Sequence, residues 1–137
     1  MAADRNGYPD RVTVLIDTNA FLMTLQFRID LLGEIRGMFG VTRPGVPDVV
    51  IRELQGLSMG RGNDAAAARF GLRLAEMCDV VETGGEGMSV DDRIFAYACR
   101  ERCRVVTNDR ALRERLLDEG LDVISMRGKQ RLEIIRR

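Results

Sequence analysis

Short apolar runs rich in β-branched residues alternate with longer segments of helical periodicity, and this alternation restricts the fold more than any other feature. The run Val12–Ile16 is typical of a strand buried on both faces. Further strands are predicted at Val80–Val81, Arg104–Thr107, Asp122–Met126 and Leu132–Ile135. Strands that alternate with helices imply a parallel sheet covered on both sides. We therefore expect an α/β fold, a three-layer α/β/α sandwich with a central parallel sheet.

Helices are predicted between these strands from apolar spacing and from residues typical of helix ends. One helix passes through Ala20–Met23, and the next spans Ile29–Phe39, with Asp30 as its cap and Gly40 after its end. After a turn at Pro44–Gly45, a helix begins with Pro47 in its first turn and buries one apolar face. The residues expected on that face are Val49, Val50, Leu54 and Leu57. Later helices are expected from Asp64 as a cap to Met77, from Ser89 to Arg102, and from Ala111 to Glu119.

The size and charge of the chain favour one compact domain over residues 1–137. Apolar residues make up 45% of it, which is enough for a core, and the formal net charge is zero. Its three cysteines form no CxxC pair, so we expect reduced thiols in a cytoplasmic protein. No apolar run reaches the ~20 residues of a membrane span, and we expect neither a signal peptide nor a membrane partner.

Histidine is absent, and this absence excludes whole classes of chemistry. Ser-His-Asp and Cys-His nucleophile systems cannot be built, so any reaction must depend on carboxylates, hydroxyls, arginine or a metal. The glycine-rich motifs GxGxxG and GxxxxGK[ST] are also absent, which leaves a nucleotide-binding domain without sequence support.

Four acidic residues stand where a parallel sheet would bring them to one rim. Asp17 directly follows the first strand, and Asp109 comes two residues after Thr107. Asp91 lies in the first turn of a predicted helix, and Glu53 is the acid inside an apolar helical segment. Because polar residues past the carboxyl ends of strands line the ligand crevice of such sheets, we expect these four to converge.

Converging carboxylates repel one another unless a cation compensates them. The natural counter-ion for an oxygen-only set is a hard divalent cation, Mg²⁺ or Mn²⁺. Two such ions about 3.5–4 Å apart can serve the attacking and leaving oxygens of a phosphoryl displacement. Each acid also has an ordinary structural interpretation: Asp17 as a turn residue, Glu53 as a solvated helix residue, Asp91 as a helix-dipole partner and Asp109 as an N-cap. Only the set of four favours a metal site.

Four motifs, in order, resemble those of PIN-domain nucleases. They are VTVLIDTNAFLM (Val12–Met23), PDVVIRELQGL (Pro47–Leu57), SVDDRIFAYA (Ser89–Ala98) and VVTNDRALRERL (Val105–Leu116). Within that superfamily, FLMTLQFRIDLLGEI (Phe21–Ile35) and SMRGKQRLEI (Ser125–Ile134) resemble an archaeal group related to the PIN endonucleases of small-subunit rRNA processing. VapC-type ribonucleases share the general motifs.

The resemblance implies metal ligation and catalysis by Asp17, Glu53, Asp91 and Asp109. Asp91 is preferred to its neighbour Asp92 because it stands three residues before Ile94, as in the D-x-x-I pattern of the family. Supporting roles in orienting the acids or a water fall to Asn19, Asp92, Thr107 and Asn108.

The activity that the resemblance implies is metal-dependent hydrolysis of RNA phosphodiesters. The candidates for phosphate contacts are Arg61, Arg110, Arg127, Lys129 and Arg131, although solvated surface cations are an equal alternative. Expected partners are rRNA or tRNA, ribosome-assembly factors and a second copy of the chain, with the apolar face of Ile29–Phe39 as a dimer surface. Two alternatives stay open: a VapC-type toxin with a cognate antitoxin, and a non-catalytic PIN module that binds RNA or protein.

Overall fold

The structure, a computed structural model, describes residues 12–128 and 130–137. This part of the chain contains six strands and six helices. The strands are β1 (Val14–Ile16), β2 (Gly45–Pro47), β3 (Asp79–Val81), β4 (Arg104–Val106), β5 (Val123–Arg127) and β6 (Arg131–Ile135). The helices are α1 (Thr18–Phe27), α2 (Leu31–Phe39), α3 (Asp48–Ser58), α4 (Asn63–Ala75), α5 (Val90–Glu101) and α6 (Arg110–Asp118).

One mostly parallel sheet forms the centre of the fold, with the strand order β3-β2-β1-β4-β5-β6. The first five strands are parallel to one another, and β6 pairs with β5 in the antiparallel direction. Helices α1 and α3 pack against α4, α5 packs against α6, and α2 contacts β6. The predicted α/β class with a central parallel sheet is confirmed; the antiparallel edge strand is an addition to it.

The core is densest around the two central strands. All three residues of β1 are at most 1% exposed, and Val105 and Val106 of β4 are fully buried. Both strands have neighbours on either side and helices over their faces, which explains why their sequences are continuously apolar rather than alternating. The continuous apolar sequences of β1 and β4 therefore reflect burial of both strands on both faces.

Several predicted boundaries are wrong. Strand β2 was expected to be a turn followed by a helix, but Gly45–Pro47 pairs with both β1 and β3, and the helix begins after Pro47. Gly62, and not Asp64, is the N-cap of α4, since Asp64 lies inside the first turn. Leu57 is 40% exposed and does not belong to the buried face of α3.

The apolar side of α2 packs into the core of its own chain. Ile29, Leu31 and Ile35 are each at most 6% exposed and cannot contribute to the expected dimer surface, whereas Leu32, Met38 and Phe39 are partly exposed. Asp30 caps α2 as predicted, accepting a hydrogen bond from the Gly33 amide at 3.1 Å. Within the described residues, Cys78, Cys99 and Cys103 form no disulfide. Among the helices of residues 12–128 and 130–137, none is long and apolar enough to span a bilayer.

Candidate functional site

The chain reverses its direction across the sheet between β1 and β4. From β1 it continues to β2 and then β3 on one side, and it later returns to β4 and β5 on the other side. Ligands of open parallel sheets bind in the crevice at such a switch point, outside the carboxyl ends of the strands. Asp17 stands at the carboxyl end of β1, and Thr107 stands at the carboxyl end of β4.

Asp17 is a buried carboxylate, only 4% exposed. Its Oδ2 accepts a hydrogen bond from the Thr107 hydroxyl at 2.7 Å, and its Oδ1 accepts one from the Thr18 amide, also at 2.7 Å. Burial raises the pKa of Asp17 to about 6, the two hydrogen bonds oppose the rise, and the charges of Asp91 and Glu53 add to it. Burial therefore makes the ionised form of Asp17 unfavourable unless a positive charge lies beside it.

Asp109 approaches the same crevice from β4. It is the N-cap of α6, and its Oδ1 accepts a hydrogen bond from the Leu112 amide at 2.9 Å. Its own amide donates to the Thr107 hydroxyl oxygen at 3.0 Å. The N-cap role considered for Asp109 is therefore confirmed, and its second carboxylate oxygen has no hydrogen-bond donor within the described residues.

Glu53 reaches the crevice from the middle of α3. The Thr18 hydroxyl donates a short hydrogen bond to its Oε1. Thr18 therefore contacts two acids, Asp17 through its amide and Glu53 through its side chain. Sequence reasoning missed this residue, although its position directly after Asp17, at the first position of α1, was an available signal.

Asp91 joins the cluster from the first turn of α5. Burial raises its pKa, and the charges of Asp109 and Glu53 raise it further, while the charge of Arg115 lowers it. The charges of Asp91 and Glu53 in turn raise the pKa of Asp17. The four acids predicted from the sequence therefore lie close enough to repel one another across one crevice.

Asp92 pairs with an arginine. Its Oδ1 accepts a hydrogen bond from Arg115 Nη1 at 2.8 Å, and its amide donates to the Ser89 hydroxyl at 3.1 Å. Hydrogen bonds from Arg115 and Ser89 hold the pKa of Asp92 below its usual value. Ser89 is the N-cap of α5, and the contacts of Asp92 support the preference for Asp91.

Asn19 and Asn108 brace the crevice without contacting the acids. The Asn19 Oδ1 accepts from the Asn108 amide at 3.1 Å. The side chain of Asn108 accepts from the Met126 amide at 2.9 Å and contacts the sulfur of Met23 at 2.8 Å. Among the four predicted supporting residues, only Thr107 hydrogen-bonds to one of the acids.

Another bridge at the same edge escaped sequence reasoning. Asp48, the first residue of α3, accepts hydrogen bonds from the Val49 amide at 2.9 Å, the Thr83 amide at 3.1 Å and the Thr83 hydroxyl at 2.8 Å. Burial alone would raise the pKa of Asp48, but these hydrogen bonds outweigh it and lower the pKa. This bridge ties the segment after β3 to the helix that carries Glu53.

The predicted phosphate-contacting arginines are exposed. Arg110 follows Asp109 at the start of α6, and Arg127 and Arg131 face each other as a cross-strand pair at the β5–β6 turn. This turn lies at the carboxyl end of β5, the same edge of the sheet as the acids. Within the described residues no ion pair involves Arg110, Arg127, Arg131 or Arg61, which lies in the α3–α4 loop. Lys129 lies outside the described residues.

The acids suit a hard divalent cation by their chemistry. All donors are carboxylate oxygens, and the buried Asp17 gains from a positive charge beside it. Across residues 12–128 and 130–137, however, no three Asp, Glu or Cys side chains are already arranged as a metal site. Ligation of one ion by three of these acids would therefore require their side chains to approach one another more closely. A cleft of about 700 Å³ lies elsewhere, beside Arg43, Pro44 and Asp79.

Fold and site together define an α/β protein with an acidic crevice at the switch point of a mostly parallel sheet. A family profile described as "PIN like domain" matches residues 14–129, and the chain therefore belongs to this family.

Known relatives agree with this membership. The chain is 35% identical over 124 residues to "Ribonuclease VapC9" of Archaeoglobus fulgidus, with 90% of this chain and 89% of the relative covered. Its fold matches the solved structure of the "PIN domain endonuclease Utp24" with a TM-score of 0.76 and 28% identity, covering 91% of this chain and 92% of the other. A domain of a functionally unknown protein from Methanocaldococcus jannaschii shares the fold alone, with a TM-score of 0.63 and 19% identity. The match covers 92% of this chain and 99% of the other.

Proposed function

We propose that this protein is a divalent-metal-dependent endoribonuclease in which Asp17, Glu53, Asp91 and Asp109 hold Mg²⁺ or Mn²⁺. The observation that carries the proposal is the convergence of carboxylates from distant segments on one crevice, where Thr107 links Asp17 to Asp109 and Thr18 links Asp17 to Glu53. The raised pKa values of Asp17 and Asp91 support it. The relative named as a ribonuclease supports RNA as the substrate. The relative named as an endonuclease supports cleavage inside the strand.

The chain's own residues orient the acids. When bound, a divalent cation polarises the phosphate and lowers the pKa of nearby water. Thr107 and the Thr18 amide direct both oxygens of Asp17 and favour its ionised form. The Thr18 hydroxyl fixes Glu53, and the capping hydrogen bond to Leu112 fixes Asp109. These contacts reduce the movement that each acid must make to become a ligand.

RNA would lie across the crevice and onto the β5–β6 turn. Arg110, Arg127 and Arg131 are exposed at that edge without acidic partners, and a cleft of about 420 Å³ beside α2 includes the latter two in its wall. Arginine forks suit phosphate oxygens. With only two tyrosines and no tryptophan, the chain has little capacity for base stacking, so we expect weak sequence preference.

Cleavage assays with Mn²⁺ test the proposal. We expect the wild type to cut a structured RNA, and Asp17→Asn and Asp91→Asn to lose nearly all activity. Asp79→Asn is the matched control, because Asp79 lies at the amino end of β3 and pairs with Arg43. Cleavage of a circular RNA would establish internal cutting. Equal cleavage by the wild type and the Asp17 and Asp91 variants would overturn the proposal. Metal binding without cleavage would favour the non-catalytic alternative.

The biological role that we favour is rRNA processing, with ribosome-assembly factors as partners and the cytoplasm as the location. The alternative is a VapC-type toxin with a cognate antitoxin, which the VapC9 relative favours. Induced expression separates the two roles. A toxin arrests growth, and the Asp91→Asn variant does not, whereas an rRNA-processing enzyme leaves growth intact and changes the ends of precursor rRNA. Sedimentation would test the expected homodimer.

A further inference from the structure

Two aspartates stand side by side at the start of α5, and only one of them faces the acid cluster. The charge of Asp91 acts on Asp17, and those of Glu53 and Asp109 act on Asp91. Asp92 instead forms an ion pair with Arg115 of α6, with 2.8 Å between its Oδ1 and Nη1. Sequence alone does not separate the two, since both lie in the first turn of the same helix.

The guanidinium of Arg115 is itself held in place. Its Cζ lies 4.2 Å from the centroid of the Phe95 ring, and Phe95 follows Asp92 by three residues on the same face of α5. Stacking on an aromatic face orients the flat guanidinium group. Arg115 therefore approaches Asp92 in a direction that the ring of Phe95 fixes.

We propose that Arg115 is a positioning residue that keeps Asp92 out of the metal site, so that Asp91 alone of the adjacent pair serves as a ligand. This inference rests on the proposed function, because it assumes that the four acids bind a divalent cation. A carboxylate released beside a cation is attracted to it. A fifth carboxylate would take a coordination position that Mg²⁺ and Mn²⁺ otherwise leave for water and phosphate oxygens.

The effect expected on metal affinity is modest. The side chains of Arg115 and Asp92 are 43% and 45% exposed, so solvent weakens their attraction. The coupling energies that double-mutant cycles give for exposed ion pairs correspond to changes in an equilibrium constant of about two- to fivefold. Removal of Arg115 should therefore tighten Mn²⁺ binding by about that factor, through the release of Asp92.

A double-mutant cycle on the full chain tests the proposal, with Mn²⁺ affinity measured calorimetrically and bound Mn²⁺ counted by electron paramagnetic resonance. The four proteins are the wild type, Arg115→Met, Asp92→Asn and the double variant. We expect Arg115→Met to tighten Mn²⁺ binding about two- to fivefold in the wild type and by a smaller factor in the Asp92→Asn background, where only the direct effect of the Arg115 charge on Asp91 is removed. Arg113→Met, which removes a charge from the same helix, is the control and should match the wild type.

Each remaining outcome counts against the inference. If Arg115→Met has the same effect in both backgrounds, Arg115 acts through its own charge and not through Asp92. Unchanged or weaker binding by Arg115→Met would also overturn it, and Arg115→Gln repeats the measurement if the Met variant does not fold. If the wild type itself binds no Mn²⁺, both the proposed function and this inference fail. If the wild type binds Mn²⁺ but the effects of Arg115→Met and Asp92→Asn are independent of each other, the inference alone fails.

Discussion

The Thr107 hydroxyl, after β4, donates a hydrogen bond to Asp17 Oδ2, after β1, at a distance of 2.7 Å. The same hydroxyl oxygen accepts the amide of Asp109 at 3.0 Å. One small side chain therefore sets the orientation of the acid after β1 and fixes the backbone of the acid after β4. Loss of a residue that orients a metal ligand in this manner commonly weakens metal affinity by about 10- to 100-fold.

Replacement of Thr107 tests this bridge. Thr107→Val keeps the shape of the side chain and removes the donor to Asp17, which disfavours the ionised form of that acid. We expect Mn²⁺ affinity near neutral pH to fall by about 10- to 100-fold, measured calorimetrically. Thr42→Val, in the cleft beside Arg43, is the matched control and should bind Mn²⁺ like the wild type. Equal affinities for the two variants would show that Thr107 does not support the site.

The raised pKa of Asp17 predicts how the stability of the metal-free protein depends on pH. The folded state holds the Asp17 proton more tightly than the unfolded chain, since folding raises the pKa from 3.8 to about 6. The free energy of unfolding should therefore fall as the pH rises through this range. The contribution of Asp17 to the fall is about 3 kcal/mol, because one pKa unit corresponds to ~1.36 kcal/mol. Asp91 contributes in the same direction.

Urea unfolding in the presence of EDTA measures this effect. Asp17→Asn removes the titrating group. The excess of its free energy of unfolding over that of the wild type should be absent near pH 4 and reach about 3 kcal/mol above pH 6. Asp48 and Asp92, whose pKa values are lowered, act in the opposite direction, but they are present in both proteins and cancel in the difference. A difference that does not change with pH would contradict the assignment of the raised pKa to Asp17.

Two helical glycines should respond oppositely to alanine. A Cβ on Gly71 of α4 would lie 3.0 Å from Phe21 Cβ of α1 and 3.6 Å from Leu54 Cδ2. Overpacking at this contact costs about 1–3 kcal/mol. Alanine returns about 1 kcal/mol of helix propensity, so Gly71→Ala should lower the free energy of unfolding by about 0–2 kcal/mol. Gly56→Ala in α3 meets nothing within 4 Å and should raise it by about 1 kcal/mol. Urea denaturation compares the two, and equal stabilisation would refute the close contact.

The β5–β6 turn should contribute to RNA affinity through its charge. In EDTA, where the proposed cleavage cannot proceed, Arg131→Gln should weaken binding of a single-stranded RNA and reduce the slope of log K against log salt by about 0.7. The Arg127→Gln/Arg131→Gln pair should reduce it by about 1.4. Arg73→Gln removes an exposed charge from α4 and is the control. Fluorescence anisotropy at several salt concentrations gives the slopes, and identical slopes for all variants would place the RNA elsewhere.

The parts of the fold that the sequence predicted are those whose local pattern agrees with their tertiary position. The runs in β1 and β4 are apolar because both faces are covered, so their composition alone indicates strands. Strand β2 is different, since Gly45 and Pro47 are poor strand residues. Its conformation comes from pairing with β1 and β3, and a Cβ on Gly45 would overlap the Val12 side chain. No local signal carries that information.

The candidate site likewise has residues that the sequence predicts and residues whose roles depend on tertiary contacts. The four acids could be found from the sequence because each follows a strand or lies on a recognisable helix. The partners of the acids could not, because a hydroxyl such as that of Thr18 gains its role only when Glu53 of α3 packs beside α1. Asn108 lies next to Thr107 in the sequence, yet its amide group faces Met126 and Met23. Side-chain direction at a loop depends on the elements around it.

The pairing of β1 with β4 has a consequence for the order in which a newly made chain becomes competent. Strand β1, which Asp17 follows, is synthesised about ninety residues before its neighbour Arg104–Val106. Until then β1 has one open edge, and Asp17 lacks both Thr107 and Asp109. A growing polypeptide, or one cut short before β4, therefore carries three of the four acids but has no closed crevice in which to use them.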